Sequence, residues 1–406
     1  MRRSFFLLGV LLLFCSLPPQ VRSQGKYEVE EEKPFWLRGL LDVRVAQGGS
    51  APSWMDRGPG KTRYGGRSTP QGFDRVTRLA LSQLALEVGG TLPWGITPRA
   101  QVNLETAAAD DEDRPLLIEA YLRKEWGQWE GGWGLQAGVM NIPFSLEHTG
   151  PAWTPQYTLT PSALNTWLWE EVRLVGMEGE WWRVTHKGVR LGLLAGAGFG
   201  PDQLGRLLAL RGWVLSDYLS GVNGDLPLPA HRVRTSVFDE RDHHPSVYTC
   251  LTLSDQQDRG ELRLGYFDNL GDQGTKGVWE TRFGTIGALL HPLARMDLLL
   301  QYLQGEIHTR SVAGDSGLSA FYALLSYHYR GHRFSARYDV FRVHDLDGAP
   351  PVTRERGDGV TLAYLFEFGL HHRVGFEYIF LHSRRPARLR SDPPDDGWQL
   401  SYRFRY

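Results

Sequence analysis

The last nine residues, Trp398 to Tyr406, alternate without a break. Trp398, Leu400, Tyr402, Phe404 and Tyr406 fall on one side of an extended chain, and Gln399, Ser401, Arg403 and Arg405 on the other, because successive strand side chains point to opposite faces. One face is wholly apolar and aromatic, the other polar and cationic. The texture recurs upstream. Arg99, Gln101, Asn103 and Glu105 interleave with Ala100, Val102, Leu104 and Thr106, and Arg333, Ser335, Arg337 and Asp339 with Phe334, Ala336, Tyr338 and Val340. A chain built this way must either bury its apolar face against another layer or turn it toward lipid, with the charged face toward water.

Hydropathy alone hides the second option. The mean hydropathy is −0.34 and 22% of residues are charged, and no later segment holds 18 uninterrupted apolar residues, as a spanning helix needs. The two faces of a barrel strand average out in such a measure. Fourteen Trp and 16 Tyr suit aromatic belts at two water–membrane interfaces. The soluble alternative is an aromatic-rich lectin or propeller, but no blade-length repeat is visible.

The N-terminus reads as a secretory signal. Met1, Arg2 and Arg3 form a basic start, Phe5 to Leu17 an apolar run too short to span comfortably, and Val21-Arg22-Ser23 a cleavage site before Gln24. Residues 1–23 are therefore expected to be removed. Residues 24–34, with the acidic stretch Tyr27 to Lys33, would form a short periplasmic leader, and 35–406 the folded body. After cleavage only Cys250 remains, so no internal disulfide is possible.

Sixteen strand-like stretches run from 35–47 to 397–406. Their joins at 91–96, 127–131, 184–188, 255–259, 290–294, 330–331 and 370–372 are short, and those at 48–75, 107–115, 141–172, 200–245, 268–277, 307–316, 344–357 and 383–396 are longer. Short turns at one end and long loops at the other describe an all-β, transmembrane, antiparallel up-and-down β-barrel with both termini at the short-turn end. The region 200–245 leaves room for one more hairpin, around 205–216 and 231–238, so 16 and 18 strands both satisfy even parity. A barrel of that size is too wide for wall side chains alone to fill.

Three stretches carry a family resemblance. Gly138-Val139-Met140-Asn141-Ile142-Pro143-Phe144-Ser145-Leu146-Glu147, the upstream Glu119-Ala120-Tyr121-Leu122, and the closing Leu400-Ser401-Tyr402-Arg403-Phe404-Arg405-Tyr406 resemble bacterial outer-membrane porins, nearest to the phosphate-selective porin O/P group. The resemblance implies integral residence in the bacterial outer membrane among lipid and lipopolysaccharide. It further implies recognition of the C-terminal strand by the barrel-assembly machinery, a homotrimer, and a water-filled pore for small hydrophilic solutes. The group's phosphate preference depends on a basic pathway. Only six of the 45 basic residues here are lysine, which does not reproduce the lysine-lined part.

Arginine supplies the rest. An inward ladder of Arg99, Arg123, Arg263, Arg333, Arg337, Arg403 and Arg405, with Glu105 beside it, would line the pore and favour anions. Alternatively these arginines pair with Glu87, Glu105, Glu119, Asp339 and Glu367 and brace the wall. The loop 141–172 carries Trp153, Tyr157, Trp167, Trp169, Glu170 and Glu171 and, folded inward, would form the constriction. No phosphate-binding loop, zinc spacing or nucleic-acid motif is present, and the adjacent pairs His243-His244 and His371-His372 point to opposite faces if they lie on strands. The run Asp110-Asp111-Glu112-Asp113 reads as a solvated tip. No catalytic residue, metal or cofactor is assigned, and the chain is read as a non-enzyme. The expected function is passive diffusion of small hydrophilic solutes, with an anion preference if the ladder is unpaired. A closed structural or secretion-partner barrel and a barrel hydrolase are the alternatives.

Overall fold

A computed structural model describes residues 34–104, 115–228, 234–255, 257, 259–310, 314–348, 354–385 and 395–406. Sixteen strands close into one antiparallel barrel. They are β1 (Trp36–Gln47), β2 (Thr77–Gly89), β3 (Ile96–Leu104), β4 (Leu116–Gln128), β5 (Gly131–Asn141), β6 (Arg173–Val184), β7 (Val189–Phe199) and β8 (Ser246–Asp255). After these come β9 (Gly260–Asp268), β10 (Glu280–Leu293), β11 (Met296–His308), β12 (Ser316–Tyr329), β13 (His332–Asp345), β14 (Glu355–Phe368), β15 (His372–Arg384) and β16 (Gly397–Arg405). Each pairs with its sequence neighbours, and β1 closes on β16 in a register running from Leu40↔Arg405 to Gln47↔Trp398. Tyr406 finishes the seam: its N–H donates to the Gly39 carbonyl at 2.9 Å, and the Gly39 N–H donates back at 3.0 Å.

The alternation sorts as the sequence demands. Around the outer wall Leu79, Leu86, Leu122, Met177, Leu193, Phe321, Leu362, Phe376 and Leu400 stand exposed. A continuous apolar surface of this kind would be prohibitive in water and is what lipid requires, while closure satisfies every ladder hydrogen bond internally. At the short-turn end the outward side chains become an aromatic band. Trp133 packs on Trp181 at 6.3 Å, Phe334 on Tyr364 at 5.0 Å, and Phe366 on Phe368 at 5.7 Å, as amphipathic rings at a headgroup interface do. No helix among the described residues is long and apolar enough to cross a membrane.

The two ends differ as the spacing predicts. Arg330-Gly331 joins β12 to β13 with both residues in the left-handed region, φ 47° and 82°, the backbone that a two-residue hairpin needs. The expected extra hairpin does not add strands to the barrel. Its first half contains a short helix, α2 (Arg206–Arg211), after α1 (Ala163–Glu171). From its second half Arg234–Ser236 pairs only with Asp225–Pro227, in a separate two-stranded piece. The barrel therefore has sixteen strands.

Candidate functional site

Inward side chains at mid-height form a ring of buried ion pairs. A charge shielded from water must be paired and hydrogen-bonded, and here most are. Asp42 on β1 accepts from Arg44 at 3.1 Å, from Arg403 on β16 at 2.6 Å and from Ser401 at 2.8 Å. Arg44 also reaches Asp217 at 2.8 Å, which Arg63 meets at 3.1 Å, so a carboxylate from the 200–245 loop ties two arginines together. Across the lumen Arg337 on β13 donates to Asp339 at 2.7 Å, to Glu147 at 3.1 Å, and to the carbonyls of Thr160 and Pro161 at 2.6 and 3.0 Å. Glu377 on β15 accepts the N–H groups of Leu159 and Thr160.

These contacts hold the loop 142–172 across the barrel. Near its start Gln83 on β2 donates to the Ala152 carbonyl at 3.1 Å. The turn at 158–162 is gripped by β13 and β15, and Asp339 accepts the Ala163 N–H at the mouth of α1. Glu147 accepts from Ser162 and Asn165, and Ser162 caps the helix by accepting the Asn165 N–H at 3.2 Å. Every residue of α1 is buried.

Above the bar the lumen is packed rather than wet. Trp54 from the first long loop, Phe144 and Trp167 from the 142–172 loop, and Leu207, Leu208 and Trp213 from the 200–245 loop form one apolar core with Leu303, Ile307, Leu318, Phe283, Phe341 and Leu381 of the wall. Trp167 meets Phe283 at 5.1 Å and Trp213 at 5.9 Å. The expectation that inward faces are polar throughout is thus corrected for the long-loop half of β9 to β15. There the wall turns apolar because folded loops, not water, lie against it. Two charges inside this core balance each other: Glu170 accepts from Arg211 at 2.8 Å with both side chains fully buried, and the guanidinium lies 4.1 Å from the Trp54 ring centre. Glu171 accepts the N–H groups of Gly205 and Leu208, and burial pushes its carboxyl up to about 7 despite Arg211 nearby.

The candidate residues are placed as follows. Arg99 pairs with Glu87 at 2.8 Å and Glu119 at 2.9 Å. Arg123 pairs with Glu125 and Glu180, and Arg263 with Glu261. Arg333 meets Asp297 at 3.0 Å and Arg405 meets Glu367 at 3.5 Å. Each described arginine of the ladder therefore has a carboxylate partner, though for Arg123, Arg263, Arg333 and Arg403 it is a carboxylate the alternation did not pick out. Glu105 and the run Asp110–Asp113 lie outside the described residues. Arg123, Glu180, Glu261 and Arg263 keep about a fifth to a quarter of their side chains exposed, so the lumen surface on that side below the loop remains open to water. Trp153 packs against Trp169 at 5.0 Å, the ring planes tilted by 42°, beneath Arg99, and Tyr157 lies under Arg333 at 4.9 Å. Trp167, Glu170 and Glu171 are sealed inside the loop core and edge no passage.

Sequence reading missed Asp42, Arg44, Asp217, Glu147, Glu377 and Glu355, which organise the loops, the last by accepting from Lys61 of the first long loop and from the Trp213 N–H. Alternation along β1 and β15 places Asp42, Arg44 and Glu377 inward; nothing local marks Asp217, Glu147 or Glu355, which fall in stretches read as loops. The Ser145 hydroxyl sits 2.9 Å from His148 Nδ1, the geometry of a nucleophile and base. Ser145 also accepts the Glu147 and His148 N–H groups, and burial lowers the imidazole to about 3. This is a buried turn. Asp202, Glu240 and Asp242 bring carboxylate oxygens within 4.8 Å of one another, but all three accept backbone N–H groups. His371 and His372 do not act together, bonding instead to the Arg405 carbonyl and the Tyr402 hydroxyl.

No protein-family model matches the chain, and no curated protein matches it in sequence. Solved structures do match. An anion-selective porin from Comamonas acidovorans aligns with TM-score 0.52 at 14% identity, covering 92% of this chain and 99% of that one. The outer-membrane channel DcaP of Acinetobacter baumannii aligns with TM-score 0.57 at 11% identity, covering 92% and 97%. The in-vitro folded trimer form of OmpT, an outer membrane protein of Vibrio cholerae, aligns with TM-score 0.52 at 9% identity, covering 92% and 99%. At these identities the likeness is one of fold. The chain is a transmembrane barrel of the outer-membrane type, with the closed sixteen-stranded architecture of porins.

Proposed function

We propose that the chain is a restrictive outer-membrane channel for small hydrophilic solutes, not a wide general pore and not an enzyme. The observation that carries this reading is the division of the lumen: one side of its lower half is charged and open to water, while folded loops occupy its upper half. Solute would pass only where loops shift, with weak binding to paired charges along the way. Because the ladder arginines are matched by carboxylates, charge selectivity is expected to be weak, in contrast to the anion preference of an unpaired ladder. Within the porins, the likeness to the phosphate-selective O/P group rests on the 138–147 stretch and on Glu119-Ala120-Tyr121-Leu122 before it. Here those residues have structural work: Phe144 fills the loop core and Glu147 anchors α1. Trimerisation is proposed from the fold and is read by sedimentation of the protein in detergent.

The decisive measurement is single-channel conductance of the refolded chain in a planar bilayer, with the reversal potential in a salt gradient. Small, infrequent steps near zero reversal potential are expected. Large steady steps would refute the restriction. A second reading, a closed barrel with a structural role, is favoured by the apolar loop core, and silence from a folded, heat-modifiable protein would establish it over the first.

A further inference from the structure

We propose that Arg373, with Arg405 at its rim, forms a binding site for a small oxyanion, a carboxylate or phosphate group, inside the short-turn end of the lumen. Arg373 on β15 faces inward and is 6% exposed, yet its Nε and Nη2 donors have no partner among the described residues. Those two N–H groups share one edge of the guanidinium, the edge that takes a carboxylate or phosphate side-on through two parallel hydrogen bonds. The neighbouring Arg403, directly across in the register, spends the same edge on Asp42, with Nε at 2.9 Å and Nη2 at 2.6 Å. Asp42 is also shared with Arg44, so it has nothing left for Arg373. On the other flank Glu367 faces Arg373 in the register but lies instead against Arg405 at 3.5 Å. Arg405 leaves its own Nε buried and unpartnered.

Three guanidinium groups thus face two carboxylates, one of them already committed elsewhere. A buried cation whose donors are unmet is costly, and this fork is shaped for one class of ligand. Glu367 and Arg405 are partly exposed at 48% and 27%, which supplies an entry from the short-turn mouth. The side chain faces the lumen, so the ligand is a small soluble anion, not a lipid headgroup. The site is independent of whether the loops above open.

The test is calorimetric titration of the refolded full chain in detergent with sodium acetate or sodium phosphate, at ionic strength held constant with sodium chloride. Saturable binding of one anion per chain is expected, and Arg373→Gln should weaken it about tenfold or more, Arg405→Gln several-fold, and Arg282→Gln, at the half-exposed Arg282–Glu306 pair on β10 and β11, not at all. Acetate binding alone assigns a carboxylate ligand, phosphate binding alone a phosphate, and both a general oxyanion site. Absence of saturable binding to the wild-type chain overturns the proposal without recourse to any variant, as does equal binding by a folded Arg373→Gln. Binding by a chain that proves silent in bilayers would leave this site standing and remove only the channel reading.

Discussion

Replacing Arg337 with methionine should release the loop that bars the lumen. Arg337 is 1% exposed and joins two carboxylates, Asp339 at 2.7 Å and Glu147 at 3.1 Å, to two loop carbonyls, Thr160 at 2.6 Å and Pro161 at 3.0 Å. Methionine keeps the bulk but strands both carboxylates in a dry site, and breaking a buried pair by removing one partner costs about 3–5 kcal/mol. The barrel ladder does not depend on this side chain, so the cost falls on loop docking. At about 1.4 kcal/mol per factor of ten, the undocked population rises by roughly two to four orders of magnitude. The assay pairs planar-bilayer conductance with limited proteolysis of residues 142–172, on protein shown by heat-modifiability to be a closed barrel. Larger or more frequent conductance steps and faster cleavage are expected together. A folded variant with unchanged conductance and unchanged cleavage would show that this hub does not hold the loop.

Three other outcomes follow from the same structure. Trp167→Ala, which empties the centre of the loop core, should destabilise loop packing by about 3–5 kcal/mol, seen as raised amide exchange in 163–171 with the barrel strands unchanged. Glu171, whose carboxyl is raised to about 7 from an ordinary 4.5, favours the docked loops when protonated. Docking is therefore strongest below about pH 4.5 and weakens as pH rises toward 7. Amide exchange of Gly205 and Leu208 should quicken across that window, and Glu171→Gln should flatten the dependence. Gly331→Ala introduces a Cβ at φ 82° that would sit 2.5 Å from the Glu367 carbonyl oxygen. A loss of about 1–2 kcal/mol in the β12–β13 turn is expected, read as a lower urea midpoint in folding titrations.

The arginines show how far a sequence carries a site. That Arg337, Arg403 and Asp339 face inward follows from period two alone. That Arg403 meets Asp42, 361 residues away along the chain, follows only from closing β16 on β1. Which carboxylate each ladder arginine meets is not legible locally, because charge pairing across strands depends on register, and register is set by the whole barrel. Residues 205–216 mislead for a related reason. A short apolar run reads equally as strand or helix, and docking beneath the loops selects α2. Arg373 carries no local mark at all, since a lone inward arginine resembles its paired neighbours until every partner is placed.

By itself the sequence determined the membrane barrel. Strict alternation, aromatic outward residues and the short-turn, long-loop rhythm admit few other folds, since among β-structures only a closed sheet can expose an apolar face to lipid while satisfying its backbone. What the tertiary structure alone decided is the state of the lumen. Loops distant in the chain meet inside it, where Trp54, Trp167 and Trp213 exclude water together and long-range carboxylates choose which arginines are neutralised. Those choices are made by packing and by burial, and neither exists until the barrel has closed.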